Sequence, residues 1–175
     1  EYIKEKTDEL LKIKEPYHVM YRITNPYKSL ALALSWRELD KENLGLALQN
    51  VWQNCEFVND DSILTKDEYT EIFKVAGKEN LMDENEQKVF NSLPDEIVVY
   101  RGINQETNHC IDGMSWTLKK DTAKWFANRF GTEGKIYKIA VNKKNVLAYF
   151  SVEKEIVIDY DWLKRNKDRI ELEQA

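Results

Sequence analysis

The sequence predicts an α+β fold: a helical N-terminal layer packed on a mostly antiparallel β-sheet. Three observations predict it. Residues 1–94 carry leucines and aromatics at helical spacing, punctuated by capping signals. Residues 95–160 switch to β-branched and aromatic runs with one helical segment among them. No Gly/Ser/Pro-rich linker separates the halves and no internal repeat is visible, so residues 1–175 read as a single domain. Its helical region spans 1–94 and its sheet-rich region 95–175. With 42% apolar and 11% aromatic residues the chain can build a core and is not disordered.

Each element has its own signal. Ile3, Leu10, Leu11 and Ile13 stand among charges, which predicts a short amphipathic helix over 3–14, ended by Pro16. From Lys28 to Phe57 runs a longer pattern containing Leu30, Leu32, Leu34, Leu39, Leu44, Leu46, Leu48, Val51 and Trp52. The polar break Asp40-Lys41-Glu42-Asn43 and Gly45 divide it into two helices. Thr65-Lys66-Asp67-Glu68 has capping-box spacing, where the hydroxyl accepts an early backbone N–H and the carboxylate reaches back. The helix it opens should end near Gly77. Asp83 to Glu86 repeats the spacing and opens a helix that stops before Pro94. Glu96 to Arg101 and Met114 to Leu118 read as strands. Asp121 to Phe130 reads as a helix, with Ala123, Phe126, Ala127 and Phe130 at helical spacing and Gly131 as C-cap. Lys135–Val141, Asn145–Phe150 and Glu153–Asp159 read as three more strands, and about 161–175 as a last helix or frayed strand.

Composition excludes much familiar chemistry. The six glycines, at 45, 77, 102, 113, 131 and 134, form neither a G-x-G-x-x-G fingerprint nor a P-loop. Two histidines, His18 and His109, cannot build an H-E-x-x-H zinc site. Cys55 and Cys110 are isolated, so no C-x-x-C pair exists, and two distant cysteines suit a reducing cytosol. His109-Cys110 is a weak nucleophile pair, because adjacent side chains diverge and residues 104–112 look like a polar loop. Asp60-Asp61 and Asp83-Glu84-Asn85-Glu86 lack the calcium-loop pattern and read as helix starts. No metal is expected. A net charge of −5 disfavours nucleic acid as a partner. No apolar run approaches the roughly 20 residues that span a bilayer, so no membrane association is expected. No signal peptide is visible, and a chain opening on Glu1 leaves its true start and a trimmed leader open.

Three segments carry polar residues where a plain core would not. Alternation puts Ile97, Val99 and Arg101 on one strand face, followed by Gly102. Arg101 there either snorkels at a strand end or offers its planar fork to a phosphate, with Gly102 letting backbone approach a ligand. In Ser115-Trp116-Thr117 the two hydroxyls share a face, which is either a ligand-facing or a solvated one. In Phe150 to Ile158, alternation places Ser151, Glu153 and Glu155 on one face and Phe150, Val152, Ile156 and Ile158 on the other. The two carboxylates then stand about 6.6 Å apart, from a rise of about 3.3 Å per residue. Paired carboxylates suit glycosidic-bond chemistry, and they equally suit a charged edge strand.

Taken in order, Tyr100-Arg101-Gly102, Ser115-Trp116-Thr117 and Glu153-Lys154-Glu155 resemble the ADP-ribosyltransferase superfamily. The similarity is to its Arg/Ser/Glu branch with an E-x-E motif, and to small bacterial and phage-borne members. It covers about residues 95–160. It implies a split β-sheet core of ADP-ribosyltransferase type, with NAD as a cosubstrate that donates ADP-ribose. It implies that Arg101 holds the pyrophosphate and Gly102 offers backbone to the nicotinamide amide. Ser115 would orient Glu155 and, with Trp116 and Thr117, belong to the cofactor-binding segment. Trp116 and Thr117 replace the second and third members of a Ser-Thr-Ser pattern, and alternation turns Trp116 away from the ligand, toward the helical layer. Glu155 would hydrogen-bond the ribose 2′-OH and stabilise the charge that develops as nicotinamide leaves. Glu153 would orient the acceptor. Phe126 or Phe130, with Trp125 a weaker candidate, would stack on nicotinamide; each of the three also fits a plain core role.

The implied activity is mono-ADP-ribosyl transfer to a macromolecule, foremost a protein arginine, with NAD hydrolysis as a side activity. The expected protein is a monomeric cytoplasmic effector, a toxin or phage factor. Two alternatives stand beside it. One is a catalytically silent binding protein or inhibitor of the same fold. The other transfers to water, a nucleic acid or a small molecule.

Overall fold

Capping chemistry sets the helix boundaries in the first half. The computed structural model describes residue 5 and residues 17–54, 63–104, 110–131 and 133–173. The helix expected over 3–14 falls outside these residues apart from position 5, as do Cys55, Asp60, Asp61 and His109. The first helices are α1 (Tyr17–Arg22), α2 (Asn25–Ser35) and α3 (Lys41–Asn54). The break between α2 and α3 falls at 36–40, and Gly45 lies inside α3. Asp40 restarts the chain: its carboxylate accepts from the Asn43 backbone N–H at 2.8 Å, as an N-cap does. Both expected capping boxes form, Thr65 with Glu68 opening α4 (Lys66–Ala76) and Asp83 with Glu86 opening α6 (Glu84–Ser92). A single turn, α5 (Lys78–Leu81), lies between them. Gly77 ends α4 at a φ of 81°, which a side chain would resist.

The second half holds β1 (Glu96–Ile103), β2 (Ser115–Thr117), α7 (Lys120–Ala127), β3 (Lys135–Asn142), β4 (Val146–Phe150) and β5 (Glu155–Ile158). The tail is both of its expected forms: α8 (Tyr160–Arg165), then the short β6 (Glu171–Leu172). Among the described residues the chain is therefore α+β, with eight α-helices and one six-stranded sheet. The strand order is β4-β5-β2-β1-β3-β6, and every pairing is antiparallel. β1 pairs with β3 at eight positions, but with β2 at one, Tyr100 opposite Thr117.

Two apolar cores hold these elements. The first joins Leu32, Leu44, Leu48, Val51, Trp52, Tyr69, Ile72 and Phe73 of the helices to Met114, Ala148, Phe150 and Val157. The second joins Met82, Phe90 and Leu163 to Ile97, Val99, Trp116, Ile139, Val141, Tyr149, Ile156 and Ile158. β4 and β5 thus send residues to both cores and are buried along their whole length, with the adjacent Leu147 and Ala148 of β4 both in the first core at a register shift. Each such Leu, Ile or Phe contributes about 1.5–3 kcal/mol of burial.

Two boundaries differ from expectation. Residues Ser151–Lys154 are a turn, not strand: β4 must reverse into its antiparallel partner β5, and Lys154 takes a φ of 51° to do so. Glu153 and Glu155 therefore do not share a strand face, and Val152 is 84% exposed. The helix expected to Phe130 stops at Ala127, and Phe130 itself has a φ of 63°. Ala123 and Ala127 keep the buried helix face, while Phe130 turns out to 66% exposure.

Candidate active site

Strand pairing brings the Ser and Glu motifs together. Thr117 stands directly opposite Glu155, and Ser115 opposite Val157, so these four share one face of the sheet. Trp116 pairs with Ile156 on the other face, where it is buried in the second core and donates its Nε1–H to the Gly113 carbonyl at 2.8 Å. Trp116 is therefore a core residue and does not line the carboxylate side. The Thr117 hydroxyl is engaged within the protein. It donates to the Glu153 carbonyl at 2.7 Å and accepts from the Lys119 N–H at 3.1 Å, pinning the 151–154 turn.

Glu155 is 9% exposed. The Trp52 indole N–H donates to its Oε1 at 2.9 Å, and the Ser115 side chain is a second hydrogen-bond partner. Burial pushes its pKa up to about 7, and the Glu153 charge adds to this, while the Ser115 and Trp52 hydrogen bonds and the Arg101 charge pull it back. The result is a carboxyl group that ionises near neutrality.

Glu86 anchors the same corner. One oxygen accepts from the Asp83 N–H at 3.2 Å to complete the capping box, and the other accepts from the Ser151 N–H at 2.8 Å. A helix start and the turn that carries Glu153 thus share one buried carboxylate. Glu153 itself is exposed as a residue, yet partial burial of its carboxyl raises its pKa, opposed by the charge of Arg129.

Arg101 is buried and works on backbone. Its Nε donates to the Cys110 carbonyl at 3.0 Å and its Nη1 to the Ser115 carbonyl. Its guanidinium lies against Gly113, where a Cβ would come within 2.2 Å of Nη2. The close approach at Gly102 is likewise to protein: a Cβ there would meet the Ala123 carbonyl oxygen of α7 at 2.0 Å. Both residues shape the site from behind.

The 110–113 segment is pinned from the other side as well. Asp112 accepts from Lys66 at 2.8 Å, from the Cys110 thiol at 3.0 Å and from Lys167, with the Tyr160 hydroxyl at 3.4 Å. Burial alone raises the Asp112 pKa, but the Cys110, Lys167 and Lys66 hydrogen bonds outweigh it and hold the carboxyl well below the usual range. Burial pushes the Cys110 thiol up, so it is a poor nucleophile. Asp112→Asn is expected to cost about 2 kcal/mol, because it leaves the partly buried Lys66 uncompensated. The depressed pKa stabilises the fold above the unfolded carboxyl's pKa, and this is lost as pH falls through the folded value. Urea denaturation should therefore show the wild type and Asp112→Asn converging at strongly acid pH.

Beyond α7 lies an open cleft lined by Lys124, Trp125, Asn128, Arg129 and Phe130. The Arg129 guanidinium sits 4.7 Å from the Phe130 ring centroid and 5.4 Å from that of Trp125. Phe126 is half-buried, edge-on to Trp125 at 4.9 Å, and its carbonyl accepts from the Asn104 side chain at 3.0 Å. Two polar contributors escaped the sequence reading. Trp52 lies 103 residues from Glu155, with no spacing signal between them. Arg129 had only its proximity to Phe130 to mark it.

Among the described residues no group of three or more His, Cys, Asp or Glu is placed to hold a metal ion, and no helix is long and apolar enough to cross a membrane. Comparison of the chain with protein-family models, with curated proteins and with solved structures gave no match.

Proposed function

We propose that the protein is a mono-ADP-ribosyltransferase that cleaves the nicotinamide–ribose bond of NAD and passes ADP-ribose to an acceptor, foremost a protein arginine. One observation carries this: a buried carboxyl, Glu155, held by Trp52 and Ser115, close to a guanidinium-braced segment. The sheet supports it too. β4-β5-β2 and β1-β3-β6 meet at a single pair, as expected of a split sheet with a helical layer against it.

The chemistry follows from the groups present. As the C1′–N bond of NAD breaks, positive charge develops on the ribose and nicotinamide leaves with the bonding pair. Ionised Glu155 stabilises that charge and accepts the ribose 2′-OH hydrogen bond. Ser115 fixes its orientation, in the manner of preorganised electrostatics. Arg101 braces the Cys110 and Ser115 carbonyls, and Arg129, beside Phe130 in the open cleft, is a second cation for the pyrophosphate, with Phe130 and the half-buried Phe126 of α7 as stacking surfaces. Glu153, on its pinned turn, orients the acceptor and takes its proton as the new C1′ bond forms.

Labelled NAD added to a lysate, followed by mass spectrometry, should reveal ADP-ribose on protein arginines. Glu153→Ala should lower transfer by about 10²-fold while sparing most NAD hydrolysis. Equal loss of both activities removes the acceptor-orienting role.

A further inference from the structure

We propose that Trp52 is a positioning residue for Glu155: the helical half of the chain reaches across to the sheet and holds the carboxyl in its reactive orientation and charge state through the indole N–H. The catalytic consequence rests on the ADP-ribosyl-transfer reading; the contact itself does not.

Two of the buried tryptophans make a useful contrast. Trp116 satisfies its N–H on a backbone carbonyl three residues away, an ordinary core arrangement. Trp52 instead gives its N–H to a titratable side chain 103 residues distant. Its ring has little freedom to turn away. Tyr69 and Phe73, one turn apart on α4, meet it edge-on at 5.5 and 4.9 Å, with interplanar angles of 77° and 86°. The groups acting on Glu155 come from four elements: Trp52 of α3, Ser115 of β2, Arg101 of β1, and Glu153 of the turn before β5. The first three favour the carboxylate and Glu153 opposes it. Removing one donor from so buried a carboxylate leaves its ionised form without a partner that water cannot replace.

Trp52→Phe keeps an aromatic ring between Tyr69 and Phe73 but deletes the N–H. The pH of half-maximal nicotinamide release should rise by about one unit, since a hydrogen bond to a charged group is worth at least that much. The maximal rate should fall about tenfold, with KM for NAD within about twofold of wild type. A second measurement needs no NAD. The Trp52 indole N–H resonance, identified by its loss in Trp52→Phe, should shift with pH in the wild type as Glu155 ionises and stay flat in Glu155→Gln. An indole resonance that ignores pH overturns the proposal, as does an unshifted pH profile in a folded Trp52→Phe protein. If the wild type releases no nicotinamide, the transferase reading fails, and the indole titration alone decides the Trp52–Glu155 contact. If Trp52→Phe does not fold, the same titration in the wild type and Glu155→Gln decides it.

Discussion

Glu155→Gln should lower nicotinamide release from NAD by about 10²–10³-fold, the usual loss when one preorganised electrostatic group is removed. The amide keeps an oxygen for the Trp52 N–H, so the local packing is retained and the lost quantity is charge. Stability should move the opposite way. Glu155 has its folded pKa raised from 4.5 to about 7, so the fold favours the neutral acid. That contribution is fully present below the unfolded pKa and is lost as pH rises through about 7. Above this, the wild type carries an ionised, buried carboxylate at a cost on the order of 3–4 kcal/mol, from about 1.4 kcal/mol per pKa unit. Glu155→Gln escapes that cost. Thermal denaturation at pH 8 should find it more stable than wild type, and the two should converge near pH 4. Nicotinamide release by the wild type should climb as pH passes through about 7, because the ionised form does the work. A variant that is inactive yet less stable at pH 8 would show that Glu155 serves packing rather than charge stabilisation.

Gly102→Ala should cost about 3 kcal/mol, at the upper end for overpacking, and lower Tm by roughly 6–12 °C in a chain of this size. The added methyl would lie 2.0 Å from the Ala123 carbonyl oxygen and 2.6 Å from the Ala127 nitrogen. Both are backbone atoms of α7, so no side chain can rotate out of the way. Either β1 or α7 must shift. Phe126 belongs to α7, and so do Lys124 and Trp125 of the Arg129 cleft, so nicotinamide release should fall along with Tm. A Gly102→Ala protein with wild-type Tm and activity would mean that β1 and α7 do not pack this closely.

The helix starts were legible because their chemistry is local. Thr65 with Glu68, and Asp83 with Glu86, each solve a helix terminus within four residues, and both boxes form. β1 and β3 were legible from their β-branched runs. The β4–β5 connection was misread for a physical reason. Alternation fits Phe150 to Ile158 as a strand, but period alone carries no information on where an antiparallel hairpin must turn. Lys154 at positive φ is a tertiary requirement, not a propensity. Phe130 was read at helical spacing with Ala123, Phe126 and Ala127, on a helix that ends before reaching it.

The candidate site divides the same way. The order Arg101, Ser115, Glu155 is a property of the sequence, and so are their residue types. Burial and register decided what each does. Register set Ser115 and Thr117 beside Glu155 and sent Trp116 to the opposite core. Burial tied Arg101 to two backbone carbonyls. By itself the sequence determined an α+β chain with capped helices, without the glycine-loop, C-x-x-C or H-E-x-x-H patterns. Only the tertiary structure decided that the helical half contributes Trp52 to that carboxylate, because a hydrogen bond across 103 residues depends on packing, which leaves no periodic trace in the chain.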